Sequence, residues 1–303
     1  MSGRPGPQSK ADVLVFEAGR PEARSDDLVT EEPLEVRLRA ALASDGSAAL
    51  SVQGFPGLSR VRRTVAVTMR TPGADFELAA GFLHGEGAIR SREEIESIAY
   101  CDDPAVDESR RSNIVNVDLR SAVLPDLDAL QRHFHMTSAC GVCGKTSLDA
   151  LRFTAPAPIP PGPEVRPETL TGLPAKLRSA QGLFSATGGL HAAGLFDESG
   201  DLLAVREDVG RHNAVDKLVG WAFLGGRLPL SACILMVSGR TSFEILQKAV
   251  MAGIPVVCAV SAPSTLAVSV AREFGVTLIG FLRNERFNVY TGTERLARQL
   301  QKV

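Results

Sequence analysis

The chain has 303 residues, of which 44% are hydrophobic and 22% charged, enough apolar content for two ordinary domains or one large one. A formal net charge of −2 excludes bulk attraction to nucleic acid, so any polyanion has to be met by a local site. Five cysteines without a disulfide-like spacing point to a reducing compartment; with no signal-peptide core and no run of membrane-spanning length, the expected location is the cytoplasm, with no membrane partner.

Residues 1–27 hold Gly, Pro, Arg, Ser and Asp with little apolar content beyond residues 13–16, and they read as a disordered arm. Residues 28–136 read as a small N-terminal α+β domain. Alternating or β-rich runs at 34–38, 64–69 and 114–119 predict strands, and the Gly/Ser/Pro-rich stretch 44–59 predicts a loop. Asp75 is placed to cap a helix through Phe76, Leu78, Ala79 and Phe82, which Gly85 and Gly87 end. A second helix is expected from Ser91 to Ile98, with Glu93 and Glu94 in its first turn. His84, near the first helix's end, reads as a polar cap and is assigned no role.

Residues 137–168 combine a dithiol loop, a short helix over 146–153 and a proline-dense connector over 154–168, the expected domain boundary. Cys140 and Cys143 stand two residues apart, each followed by glycine, with Lys145 adjacent. Small neighbours leave the sulfurs open, and a nearby cation favours the thiolate, so the loop suits sulfur chemistry. Other readings remain: a Cys2His2 zinc site with His133 and His135, a thioredoxin-type redox pair, or a structural pair.

Residues 169–303 predict an α/β domain. Residues 190–196 and 202–205 read as a hairpin around the turn 197–200. Helices are expected from near Asn213 to Gly225, from Ser242 to Gly253, and from a Ser264 cap to Gly275. Between and after them lie apolar strands at 233–237, 256–260 and 276–282. Strands separated by such helices need crossovers, hence a parallel sheet whose strand ends share one ligand-binding edge. Four loops should meet there: 238–242 with Ser238, Arg240 and Thr241; 261–264; 281–286; and 206–213 with Arg211 and His212. Hydroxyls, cations and helix N-termini make them suited to phosphate. Glu207 and Asp208 read as salt-bridge partners more readily than as an acid–base pair, and no P-loop motif is present.

Four segments taken together, CGVCG at 140–144, TGGLHAA at 187–193, REDVGRHNAVDK at 206–217 and SGRTSFE at 238–244, resemble the formate dehydrogenase accessory sulfurtransferase family (FdhD-type), over about residues 30–295. The resemblance implies a sulfurtransferase that takes persulfide sulfur from a cysteine desulfurase and passes it to the molybdenum cofactor, Mo-bis(molybdopterin guanine dinucleotide), for formate dehydrogenase. It implies a cytidine-deaminase-like, three-layer α/β/α C-terminal domain without a metal, and a homodimer. Cys140 matches the persulfide carrier, with Cys143 beside it, and Phe281, Leu282, Arg283, Asn284, Glu285 and Arg286 match the cofactor-binding segment. The alternative is a non-catalytic chaperone that binds the finished cofactor and needs the arginine loops but not the thiols.

Overall fold

In the computed structural model of the chain, the described residues are 5–41, 60–121, 123–125 and 161–297, with 148, 151, 152, 154, 155 and 159. The dithiol loop, His133, His135 and Lys145 lie outside them, as does the expected loop 44–59. Of the short helix expected over 146–153, Leu148, Leu151 and Arg152 are described, all helical.

The expected disordered arm is instead a hairpin, β1 (Gln8–Glu17) and β2 (Arg20–Val29). Ala18 and Gly19 both have positive φ, 51° and 78°, and close a two-residue turn between Glu17 and Arg20. Such a turn matches strand twist. The charge-rich composition hid it, and a boundary at residue 28 would cut through β2.

Strands β3 (Glu32–Ala41), β4 (Arg60–Arg70), β5 (Ile95–Tyr100) and β6 (Ile114–Leu119) form a sheet in the order β4-β3-β6-β5. Leu34, Val36 and Leu38 on β3 and Val115, Val117 and Leu119 on β6 turn one face onto α1 (Asp75–Gly85). Asp75 is not the cap: Ala74 holds that position, and the Asp75 carboxylate takes a bidentate pair with buried Arg70 at 3.0 and 2.9 Å. The helix expected over Ser91–Ile98 is also corrected. Ser91 and Glu94 form a capping box for one 3-10 turn, Arg92–Glu94, and the branched Ile95 and Ile98 then enter β5.

The C-terminal half is a six-stranded sheet, β12-β11-β10-β9-β7-β8. Its members are β7 (His191–Phe196), β8 (Leu202–Asp208), β9 (Ile234–Val237), β10 (Val256–Ala259), β11 (Thr277–Arg283) and β12 (Arg286–Thr291). Strands β9, β10 and β11 are parallel as expected, but β7 runs antiparallel to β9 and β12 antiparallel to β11, so the sheet is mixed.

Alternation divides its side chains between two layers. Leu235, Val237, Val257 and Ala259 face α4 (Arg211–Leu224), α5 (Phe243–Met251) and α6 (Thr265–Glu273). Ile234, Met236, Val256 and Cys258 face Leu170, Leu173 and Leu177 of α2 (Pro167–Ala180). This helix and α3 (Gly182–Thr187) were not expected, and the boundary at residue 169 falls inside α2. The architecture is three-layer α/β/α. The connector is partly pinned, since Val165 is buried and bridges Leu296.

The two halves meet where α1 crosses α4. Added side-chain carbons on Gly81 and Gly220 would lie 1.9 Å from the Asp216 carbonyl oxygen and 1.8 Å from that of Glu77. Only glycine permits so close a backbone approach. Buried Lys248 lies beside the crossing, its Nζ 2.7 Å from Asp216 Oδ1.

A cationic rim at the sheet edge

Strand β8 is antiparallel to β7, and β7 to β9, so β8, β9, β10 and β11 all end at one edge. The four expected loops therefore meet, and hydrogen bonds join each to the next. Thr241 N–H donates to Ala262 O at 3.3 Å and Ser264 N–H to Thr241 O at 2.9 Å. Phe281 N–H donates to Ser261 O at 3.1 Å. His212 Nε2 lies 3.1 Å from the Ser242 hydroxyl, which links the 206–213 loop to α5. Ser238 accepts from Ala192 N–H at 2.9 Å, so its hydroxyl braces β7.

The REDVGRHN block has mainly structural work. Arg206 holds Glu77 on α1 with two bonds, 2.5 and 2.8 Å. Glu207 accepts the Leu183 and Phe184 N–H groups at 3.1 and 2.8 Å. Asp208, fully buried, receives Thr71 N–H, Gly210 N–H, the Asn213 amide and Lys217 Nζ, the last at 2.7 Å. A carboxylate held by four donors is a structural knot and not a free acid or base. It ties the N-terminal sheet to the rim, because Asn213 also donates to Met69 O and Lys217 to Thr71 O.

What remains free is cationic. Arg240, Arg283 and Arg286 are exposed and, with Arg211, form no ion pair among the described residues. Among the described residues, Arg211 Nε and Thr241 Oγ1 are buried without a hydrogen-bond partner, and Thr241 is 1% exposed. Buried donors without partners are costly, and they mark a place for an acceptor. Phe281 has φ 53°, costly for a bulky side chain, and sits where the β11–β12 register shifts. The shift re-aims the 281–286 segment. Asn284, at φ 54°, and Glu285 form the exposed turn between Arg283 and Arg286. Leu282 departs from expectation: its side chain is buried in the α2-facing core and offers a ligand no surface.

His191, to which no role was assigned from sequence, joins the rim at the start of β7. A side-chain carbon on Gly239 would lie 3.4 Å from His191 Nδ1 and 3.6 Å from Arg211 Cδ, so all three residues converge. Its place becomes readable only once β7 is known to run opposite to β9. Burial, and then the Arg211 charge, lowers the His191 pKa. His212 is pushed down to about 4, by burial first and then by Lys248. A folded-state value below the ordinary 6.5 stabilises the fold fully above 6.5, and that contribution is lost as pH falls through 4. The His212 contribution to thermal stability should therefore fall between pH 6.5 and 4, and His212→Gln should remove that part of the pH dependence; parallel curves for the two proteins would contradict the assignment.

A cavity of about 160 Å³ lies elsewhere, lined by Pro5, Pro7, Arg70 and Tyr100 among others. Arg70 is already held there by Asp75 and Asn113, so that cavity has no spare charge. None of the other thiols is fully exposed. Cys101 and Cys258 are buried, and Cys233 is half-buried. Burial raises the pKa of Cys258 strongly and that of Cys233 as well.

A sequence profile of the FdhD/NarQ family matches residues 57–297. The sulfur carrier protein FdhD of Streptomyces avermitilis is 52% identical over 290 residues, covering 94% of each chain. That of Sulfurisphaera tokodaii is 42% identical over 286 residues, covering 94% of this chain and 98% of its own. The fold matches the crystal structure of a candidate formate dehydrogenase accessory protein from Desulfotalea psychrophila, with a TM-score of 0.68 and 24% identity over 96% of this chain and 99% of that one.

Proposed function

The chain belongs to the FdhD/NarQ family, and on that footing we propose that it is a sulfur carrier that moves persulfide sulfur from a cysteine desulfurase to the molybdenum cofactor destined for formate dehydrogenase. The observation that carries the acceptor side is the rim, where, among the described residues, four arginines without an ion pair and a buried hydroxyl without a hydrogen-bond partner meet at one sheet edge. An anionic pterin dinucleotide supplies the acceptors those groups lack. Its phosphates lie against Arg211, Arg240, Arg283 and Arg286, near Ser238, Thr241 and His212, and Phe281 offers a ring for the guanine. Asn284 and Glu285 present the same turn, and Leu282 contributes backbone alone.

On the donor side, the Cys140 thiolate attacks the outer sulfur of the desulfurase persulfide. The desulfurase leaves as a thiolate and Cys140 becomes Cys–S–SH. Cys143 then either relays that sulfur or attacks the Cys140 sulfur, which closes a disulfide and expels hydrosulfide. The protein acts in the cytoplasm as a homodimer, with a C-terminal domain of the cytidine-deaminase type and no metal of its own. No described helix is long and apolar enough to cross a membrane.

GDP is the test of the rim. It should bind, and reversing the charges of Arg283 and Arg286 together should weaken binding by about tenfold or more in calorimetry, since each lost charge-assisted contact is worth roughly 1.5–3 kcal/mol. Unchanged affinity would place the nucleotide elsewhere.

A further inference from the structure

The β1–β2 hairpin belongs to neither larger sheet, and residues 20–26 of β2 are all exposed. Pro21 lies opposite Phe16 in the hairpin register. Proline has no N–H, so this pair is not one that exchanges two backbone bonds. The alternation of an antiparallel ladder then points the backbone groups of Pro21, Ala23 and Ser25 away from β1. That outer edge is unpaired among the described residues, and an unpaired edge is a template for another strand. A two-stranded ribbon is marginal alone in water. This one also exposes Leu14 by 60% and Phe16 by 68%, on the face shared with Ala23 and Pro21.

The other face carries Arg20, Glu22, Arg24 and Asp26, and this run is its own complement. Antiparallel pairing with a second copy, centred on Ala23, sets Arg20 opposite Asp26 of the partner subunit and Glu22 opposite Arg24 of the partner subunit. The two-fold axis repeats both pairs. Ala23 meets its own copy on the axis, where its small side chain allows close approach. Ala23 exchanges two backbone bonds with its copy, and each Ser25 N–H reaches the carbonyl of Pro21 of the partner subunit. Within one chain Arg24 already lies beside Glu22 and Glu17, at 2.7 and 3.3 Å, whereas Arg20 and Asp26 form no ion pair among the described residues.

We infer that the outer edge of β2 is a self-docking surface that joins two copies of this chain into a continuous four-stranded ribbon. The inference rests on the homodimer proposed above and names its interface; the sulfur chemistry does not depend on it.

Sedimentation equilibrium of the full chain tests it. The unaltered protein should dimerise, and E22R and R24E should each weaken association by about tenfold or more, because like charges then face each other. An equimolar mixture of the two variants should recover the unaltered affinity, since each strand then presents one sign of charge to the other. A23P should also dissociate the dimer while keeping the β1–β2 ladder, because it removes an N–H that faces outward. Equal dimerisation of all these proteins would place the interface elsewhere. A monomeric unaltered protein would overturn both the surface and the homodimer.

Discussion

Gly220→Ala is expected to destabilise the protein by at least about 3 kcal/mol, because the added methyl overlaps backbone that no side-chain rotation can clear. The methyl would sit 1.8 Å from the Glu77 carbonyl oxygen and 2.8 Å from the Gly81 backbone nitrogen. Relief requires that α1 and α4 move apart, which opens the core around Leu78, Leu83 and Phe223. It also strains the Arg206–Glu77 pair and the buried Lys248–Asp216 pair. Gly172→Ala is the control: that glycine is also helical, but a methyl there meets nothing within 4 Å, so the change should be neutral or stabilise by up to about 1 kcal/mol. Urea titration of the two variants gives the difference. Equal midpoints would mean that the helices are not in this contact.

Cys140→Ala is expected to reduce sulfur loading to background and to leave formate dehydrogenase inactive in cells whose only copy carries the change. Thiol exchange needs an accessible thiolate. No described cysteine offers a substitute: Cys258 and Cys101 are buried, and burial, followed by the Asp197 charge, raises the Cys233 pKa and so disfavours its thiolate. GDP binding should survive the substitution, because the rim does not use the thiol. Full dehydrogenase activity with this variant would favour the chaperone reading, in which the arginine loops suffice.

Much of the rim was readable before the fold was known. Short apolar runs such as 234–237 and 256–259 have no room for amphipathic alternation, so they announce strands buried on both faces. The helices between them fix a common edge for the strand ends, and the loops with Ser238, Arg240, Thr241 and Arg283 follow. What was not readable depends on pairing. The reversed direction of β7 brings His191 to the rim, and no local pattern encodes it. Helix α2 carries Leu170, Leu173 and Leu177 at helical spacing, yet it opens at Pro167, inside the proline-dense stretch 154–168 that reads as extended connector. Pro167 in fact opens the helix at a position where its missing N–H costs nothing. The hairpin was masked in another way: its exposed strands carry alternating charges, which is also the composition of a disordered tail. At Leu282 the motif match named a segment but was silent about side-chain direction, which alternation along β11 sets and which buries this side chain.

Sulfur on Cys140 is the claim from which the donor half of this account follows. The reduced protein, incubated with a cysteine desulfurase and cysteine and then digested without reductant, should yield the Cys140–Cys143 peptide heavier by one sulfur atom in the mass spectrum, fragmentation placing it on Cys140, and the Cys140→Ala protein should not. An unmodified peptide from a preparation whose desulfurase demonstrably turns over cysteine would contradict the account.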